Sequence, residues 1–221
     1  MAAGEGRRLR PLTERHPKAV LPIDGRPVIA TVLRELQDAG AGRITVVTGH
    51  LAEQVEQLLD GFPHELRFVR QPEVLGSADA VRRAALEPPY LVVAADTVFT
   101  PGDIARFLAA TRGHDGAIAV RRRPPPGPGR WAVRVEHGLI TKLPDDDPSS
   151  PLSGAPLWLH GEAVWRELQG ELPGPPFEQA TALQRAIAAG ARIAGVEIGP
   201  TRDLTDPLDL LEENFGYLRG L

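Results

Sequence analysis

The chain has 221 residues, of which 42% are hydrophobic and 24% charged, and its net charge is −4. This length can bury a sizeable core, and the net charge argues against a general nucleic-acid surface, which needs clustered Lys and Arg. The absence of cysteine excludes disulfides, thiolate nucleophiles and cysteine-based metal sites.

From residue 27 onwards the hydrophobic pattern alternates between helical and extended segments. Residues 27–40 carry apolar side chains at helical spacing between an initial Pro and a final Gly, which predicts a helix. The β-branched run 43–49 predicts a buried strand. This order predicts an α/β fold, a Rossmann-like three-layer α/β/α arrangement around a mostly parallel central sheet. The alternation continues in predicted helices at 52–61, 77–87 and 102–112 and predicted strands at 66–71, 90–96 and 116–120.

The pattern changes after residue 120. Prolines in 121–130 exclude a helix or a central strand, so we expect a loop. Residues 131–143 are predicted to form an antiparallel hairpin that turns near His137 and Gly138. A strand, two helices, another strand and a last helix near 206–219 follow. We expect a single domain over 1–221, with the hairpin and loops of 121–155 as a partly independent flap.

A glycine-rich, cationic segment opens the chain: "MAAGEGRRLRPLTERHPKAVLPIDGRP". Glycines let backbone N–H groups approach an anion closely, but the segment is neither a Walker A loop nor a complete dinucleotide fingerprint. Arginine supplies nearly all of the basic charge, and Lys18 and Lys142 are the two lysines. The residues alone leave two interpretations open, a phosphate-binding turn and a solvated basic segment.

The same segment closely resembles the signature of nucleoside-triphosphate transferases that activate sugar phosphates, roughly L-A-A-G-x-G-x-R-L-x-P-L-T-x-x-x-P-K-x-x-L-P-[IV]-x-G-x-P. Looser similarities follow in "QPEVLGSADAV" (71–81), "LVVAAD" (91–96) and "RDLTDPLDLLEEN" (202–214). The resemblance implies a nucleotidyltransferase that transfers an NMP group from an NTP to a sugar 1-phosphate and releases pyrophosphate. Its implied partners are the NTP and a small phosphorylated acceptor.

The resemblance implies that Arg8 holds the β- and γ-phosphates and that Lys18 holds the α-phosphate or the acceptor phosphate. Arg is a bidentate phosphate ligand and Lys a point charge, so both suit a catalytic role. Arg7 occupies a variable signature position and is expected to be solvated. For Ser77, capping of the helix that begins there is an equally open interpretation. The implied nucleotide-binding residues are Ala2, Ala3, Gly4, Gly6, Arg8, Gln71, Gly76 and Ser77.

The implied cofactor is Mg²⁺, held by Asp96 and Asp203. Asp96 ends a predicted strand at the carboxyl edge of the sheet, where ligands bind in open α/β folds, and carboxylates suit Mg²⁺. An alternative interpretation is that Asp96 caps the next helix. Asp206 competes with Asp203, because the sequence departs from the family motif at this point.

The acceptor side matches the family less closely. "DDDP" (145–148) stands where sugar enzymes carry E-K-P, and "LSG" (152–154) stands where they carry N-T-G. The expected acceptor contacts are Asp146, Gly154 and Glu178, although Glu178 also suits a helix N-terminus. Two alternatives stay open: a cytidylyltransferase for a non-sugar phosphate such as an alditol or choline phosphate, and a non-catalytic nucleotide-binding homologue.

The start of the chain raises an expectation of its own. In the family an apolar strand precedes L-A-A-G, and Met1 stands here at the Leu. We therefore expect that the first strand of the fold is missing from the N-terminus and that the natural chain begins upstream. The sequence shows no secretory signal and no apolar run of about 18 residues, so we expect a cytoplasmic protein without a membrane partner.

Overall fold

The computed structural model describes residues 1–122, 131–147 and 149–218. The helices are α1 (Val28–Asp38), α2 (Ala52–Leu58), α3 (Ser77–Ala84), α4 (Asp103–Ala110), α5 (Glu162–Gln169), α6 (Gln179–Ala188) and α7 (Pro207–Asn214). The strands are β1 (Pro22–Ile23), β2 (Arg26–Pro27), β3 (Ile44–Thr48), β4 (Leu66–Arg70), β5 (Tyr90–Val93), β6 (Thr97–Val98), β7 (Gly116–Arg122), β8 (Arg134–Glu136), β9 (Leu139–Lys142), β10 (Leu152–His160), β11 (Ile193–Ile198) and β12 (Arg202–Asp203).

These bounds confirm the predicted alternation of helices and strands and correct several ends. Strand β7 continues through Arg122, and the rest of the loop predicted at 121–130 lies outside the described residues. Strand β5 ends at Val93, so Asp96 lies in the turn that follows and not at a strand end. The last helix ends at Asn214, and residue 219 of its predicted range lies outside the described part. In that part no helix is long and apolar enough to cross a membrane.

The chain divides into two compact units. Unit 1 comprises Met1–Val74, Ala94–Phe99 and Thr201–Leu221, and unit 2 comprises Leu75–Val93 and Thr100–Pro200. The described part of the expected flap, 121–155, belongs to unit 2. The expectation of one domain over 1–221 stays a prediction.

Unit 1 is built around the parallel pair β3 and β4, which α2 connects. The N-terminal residues lie along β3, because the backbone N–H of Ala2 donates to the carbonyl of Val47 at 2.7 Å. The carbonyl of Met1 accepts from the N–H of Ala95 at 2.9 Å. These two groups of one peptide point in opposite directions, so the extended N-terminal segment lies between β3 and Ala95. This position places the glycine-rich segment directly after a short piece of extended chain.

Helix α1 shows why the sequence pattern predicts the helices of this fold well. Its apolar side chains repeat at helical spacing, so they form one face of the helix, and that face is buried. The helix begins after Pro27, as the sequence predicts. The buried face consists of Val28, Ile29, Val32, Leu33 and Leu36.

Unit 2 contains a six-stranded sheet in the order β5-β10-β7-β11-β9-β8. The prediction of a mostly parallel sheet is wrong here, because β7 and β11 are parallel whereas the other neighbouring pairs are antiparallel. Helical crossovers give parallel neighbours, but the described residues between β7 and β10 contain no helix, so β10 returns antiparallel to β7. The sheet is mixed, and the α/β class is confirmed. The three-layer arrangement stays a prediction.

The predicted hairpin is confirmed. Strands β8 and β9 pair antiparallel, and the chain turns at His137 and Gly138. Both residues have left-handed backbone conformations, with φ of 51° and 78°, which match the twist of a two-residue β-hairpin.

Candidate active site

The glycine-rich segment of unit 1 is held in shape by a residue of its own signature, Thr13. Gly6 has a φ of 62°, in the left-handed region that favours glycine. The hydroxyl of Thr13 donates to the carbonyl of Gly6 at 2.9 Å, and a Cβ at Gly6 would lie 2.9 Å from the Thr13 γ-methyl group. Thr13 is itself buried. The Thr of P-L-T therefore anchors the turn on which the signature glycines sit.

His50 supports the same turn from the end of β3. Its Nε2 lies 2.6 Å from the backbone carbonyl of Thr13, and because a carbonyl can only accept, Nε2 carries the proton. The backbone N–H of His50 donates to the carbonyl of Ala3 at 3.3 Å. Sequence reasoning did not single out His50, because no other histidine lies at a metal-site spacing from it. The available signal was its position, since His50 directly follows the predicted strand 43–49.

Arg7 and Arg8 stand side by side in the glycine-rich segment. The Nε of Arg7 donates to Glu5 at 2.6 Å, and this hydrogen bond is the main reason why the pKa of Glu5 is lowered and that of Arg7 raised. The Arg7 side chain is exposed, as expected for a variable signature position. Arg8 is exposed as well. Gly4 faces open space.

The predicted catalytic lysine and the predicted metal ligand lie in contact. Lys18 Nζ is 2.7 Å from Asp96 Oδ2, and the two side chains are 17% and 33% exposed. Lys18 opens a 3-10 turn, Lys18–Val20, that follows Pro17. A Cβ at Gly6 would be 3.4 Å from the Cβ of Lys18, so the lysine stands beside the glycine-rich turn. The signature therefore brings its glycine, its lysine and Asp96 into one cluster in unit 1.

Asp203 and its competitor Asp206 have different surroundings. Asp203 lies in β12 directly opposite Thr97, the residue that follows Asp96, so β12 runs beside the Asp96 turn. Asp206 is instead the N-cap of α7: its side chain accepts from the N–H of Leu208 at 2.9 Å, and Asp209 completes a capping box. The carboxylate of Asp206 is thus used by the helix.

Arg202, which precedes Asp203, fixes the position of β12. Its guanidinium donates to both carboxylate oxygens of Asp24, one at 2.9 Å, and also to Glu213 of α7. These partners raise the pKa of Arg202, with the hydrogen bond to Asp24 as the largest cause. Sequence reasoning missed this clamp because its members are far apart along the chain.

The described residues hold no preformed metal cage. Within 1–122, 131–147 and 149–218, no group of three or more His, Cys, Asp or Glu side chains is arranged to hold a metal ion. Two carboxylates near one turn suit Mg²⁺ nevertheless, since this ion keeps waters and shares substrate phosphates. The Lys18 ammonium on Asp96 shows that this carboxylate already holds a cationic group.

The predicted base-binding residues are divided between the units. Gln71 belongs to unit 1, where it is 3% exposed and its N–H donates to the carbonyl of Thr48 at 2.7 Å. Gly76 and Ser77 belong to unit 2. Gly76 has a φ of 107°, and the backbone of Phe177 occupies the space that a Cβ would need.

Ser77 does not cap its own helix. Its hydroxyl donates to Glu178 Oε2 at 2.6 Å and accepts from the N–H of Gln179 at 3.0 Å. It thereby satisfies the first amide of α6. One residue expected at the nucleotide and one expected at the acceptor, Ser77 and Glu178, are brought together within unit 2.

The remaining acceptor-side residues do not form a cluster that the structure identifies as a site. Asp146 is 85% exposed and pairs with Lys142, which lowers its pKa mainly through their hydrogen bond. Gly154 lies under the indole of Trp131, whose ring fills the space that a Cβ would need. Trp131 and Trp158 are parallel within 4°, with ring centroids 6.5 Å apart. Gly154 is therefore required by the packing of Trp131.

The chain is similar to several known proteins. The model of the MobA-like NTP transferase domain matches residues 1–191. The bifunctional protein GlmU of Burkholderia ambifaria (strain MC40-6) is 35% identical over 157 residues, which cover 68% of this chain and 33% of GlmU. CMP-5'-(3-aminopropyl)phosphonate synthase of Streptomyces rubellomurinus (strain ATCC 31215) is 29% identical over 241 residues, covering 98% of this chain and 38% of that protein. The chain thus spans about a third of the length of these curated relatives.

A solved structure shows the same fold. The inositol-1-phosphate CTP transferase from T. maritima superposes with a TM-score of 0.82 at 18% identity, covering 94% of this chain and 88% of that one. The family match covers most of the chain and includes the N-terminal signature, so the resemblance seen in the sequence is confirmed. The chain belongs to the family of MobA-like NTP transferase domains.

Proposed function

We propose that the chain transfers an NMP group from an NTP to a sugar 1-phosphate and releases pyrophosphate. The observation that carries this proposal is the cluster in unit 1 of the glycine-rich turn, Lys18 and Asp96. It combines backbone for phosphate binding, a point charge and a carboxylate for a metal ion, which are the groups that transfer of a charged phosphoryl unit needs.

In this reaction an oxygen of the acceptor phosphate attacks the α-phosphorus of the NTP. The new O–P bond forms as the bond from the α-phosphorus to the bridging oxygen breaks, and that oxygen leaves as part of pyrophosphate. We assign Lys18 to the α-phosphate, where its ammonium offsets the charge that builds up during attack, and Arg8 to the leaving phosphates. No covalent intermediate on the protein is required, so positioning and charge stabilisation do the catalytic work.

We assign the metal site to Asp96 and Asp203, with Mg²⁺ as the expected ion. When bound, a divalent cation neutralises charge on the phosphate oxygens. Asp203 is preferred over Asp206 because it lies opposite the residue next to Asp96, whereas Asp206 caps α7. The Arg202 clamp supports this assignment, since it holds β12 and thereby keeps Asp203 beside the Asp96 turn.

A second acceptor class is also supported. The indole of Trp131 covers Gly154, and Asp146 stands where sugar enzymes carry the E-K-P motif and pairs with Lys142. A relative whose match covers 98% of this chain is named CMP-5'-(3-aminopropyl)phosphonate synthase. These observations favour cytidylyl transfer to a non-sugar phosphate or phosphonate as the alternative.

A pyrophosphate-release screen with Mg²⁺ tests the proposal. Each of the common NTPs is paired with sugar 1-phosphates, alditol phosphates, choline phosphate and aminoalkylphosphonates, and each NTP is also incubated alone. We expect acceptor-dependent pyrophosphate with one NTP and a sugar 1-phosphate. Activity confined to CTP with a non-sugar acceptor would select the second class. NTP binding without turnover on any acceptor would indicate a non-catalytic homologue and contradict both.

A further inference from the structure

The Lys18 ammonium lies against the carboxylate of Asp96, the residue assigned to the metal site, with Nζ 2.7 Å from Oδ2. We propose that this site takes a divalent cation as a complex with nucleotide phosphates and disfavours the cation alone, because Lys18 competes with it for the Asp96 carboxylate. This inference rests on the proposed function and names the form in which the metal reaches the site.

A metal ion on Asp96 and the Lys18 ammonium in its present position would repel each other. Lys18 Nζ lies 2.7 Å from Asp96 Oδ2, a close charge-assisted contact. A metal ion on the same carboxylate would stand about 2.0–2.1 Å from an oxygen. Two positive charges would then lie within a few ångströms of each other, and the partial burial of both side chains weakens the solvent screening of that repulsion. A cation that arrives alone therefore binds against the repulsion of the ammonium or has to displace it from Asp96.

Nucleotide phosphates remove this conflict. They offer the Lys18 ammonium new anionic partners beside the glycine-rich turn, and the flexible four-carbon stem of lysine allows the head group to move to them. They also supply oxygen ligands, which the site needs because the described part of the chain provides no cluster of three or more ligating side chains. Binding of the metal ion and binding of the nucleotide phosphates therefore favour each other.

The test measures binding of Mn²⁺ without nucleotide, by electron paramagnetic resonance of the unbound ion. We expect weak binding to the wild type and about five- to tenfold tighter binding to Lys18→Met, which corresponds to the ~1 kcal/mol of a favourable ion pair. Lys142→Met is the matched control, since Lys142 also pairs with an aspartate, Asp146, and should leave Mn²⁺ affinity unchanged. In the double variant Lys18→Met/Asp96→Asn the gain should disappear.

Several results would overturn the inference. Equal Mn²⁺ affinity of Lys18→Met and wild type is one, and an equal gain in Lys142→Met is another. Thermal unfolding checks that each variant folds, and Lys18→Gln replaces Lys18→Met if the latter does not. Calorimetry of Mg·NTP binding to the wild type separates the two claims. If no NTP binds, the proposed function fails together with the inference, whereas NTP binding with an unchanged Mn²⁺ affinity in the lysine variant rejects the inference alone.

Discussion

Replacing Thr13 by Val tests how much the signature threonine contributes to the phosphate-binding turn. The substitution keeps the shape of the side chain, including the γ-methyl group near Gly6, and removes the hydroxyl that donates to the Gly6 carbonyl at 2.9 Å. That carbonyl also accepts from the N–H of Leu9 at 2.9 Å, so it keeps one partner. The loss is therefore that of one buried hydrogen bond, about 1 kcal/mol.

If the bond holds the turn in its binding conformation, most of this loss appears in nucleotide affinity. Calorimetric titration with Mg·NTP should show about fivefold weaker binding for Thr13→Val, the equivalent of ~1 kcal/mol. Thr13→Ser keeps the hydroxyl and removes the methyl group, so it serves as the matched control and should retain more affinity. Wild-type affinity in Thr13→Val would refute the anchoring role of Thr13. Binding lost equally in both variants would assign the effect to packing.

Two further predictions concern unit 2. Burial lowers the pKa of His160 to about 3, below the unfolded value of about 6.5. The unfolded state thus binds more protons between these values, and stability falls as the pH drops below 6.5, by ~2 kcal/mol at pH 5 relative to pH 8. Denaturant unfolding of His160→Leu should show a smaller loss of stability between pH 8 and pH 5, and a pH dependence identical to that of the wild type would contradict the argument. Glu35, whose pKa is raised to about 7 by burial and by the charge of Asp38, contributes equally in both proteins. The difference in stability between the two proteins at each pH therefore reports His160. Gly154→Ala should displace the Trp131 indole, shift tryptophan fluorescence and cost about 1–3 kcal/mol of stability, and an unchanged spectrum and midpoint would show that the ring moves without penalty.

Much of the fold could be predicted because its elements carry local signals. Helix α1 has a helical apolar stripe between Pro27 and Gly40, and the β8–β9 hairpin has a turn at His137–Gly138. The direction of β10 could not be predicted, since the pattern of a buried strand is the same whether its neighbours run parallel or antiparallel. Strands β6 and β12 are two residues long and have no periodicity to detect.

The sequence singles out candidate site residues but not the contacts between them. The signature singles out Lys18, and the later motifs single out Asp96 and Asp203, but spacing along a chain does not report which side chains meet. The Lys18–Asp96 pair, the His50–Thr13 contact and the Ser77–Glu178 contact all join distant segments. They depend on packing, which the sequence pattern does not express.

The proposed reaction requires that the cluster of Asp96 and Lys18 supports attack on the α-phosphorus. The most direct measurement follows an NTP labelled at either its α- or its γ-phosphorus, with the acceptor that the screen identifies, in wild type and Asp96→Asn. Asp60→Asn, an exposed aspartate of unit 1, is the matched control. We predict α-label in the product, γ-label in pyrophosphate, and about 10²–10³-fold slower transfer in Asp96→Asn. Transfer of the γ-label to the acceptor, or wild-type turnover in Asp96→Asn, would contradict the claim.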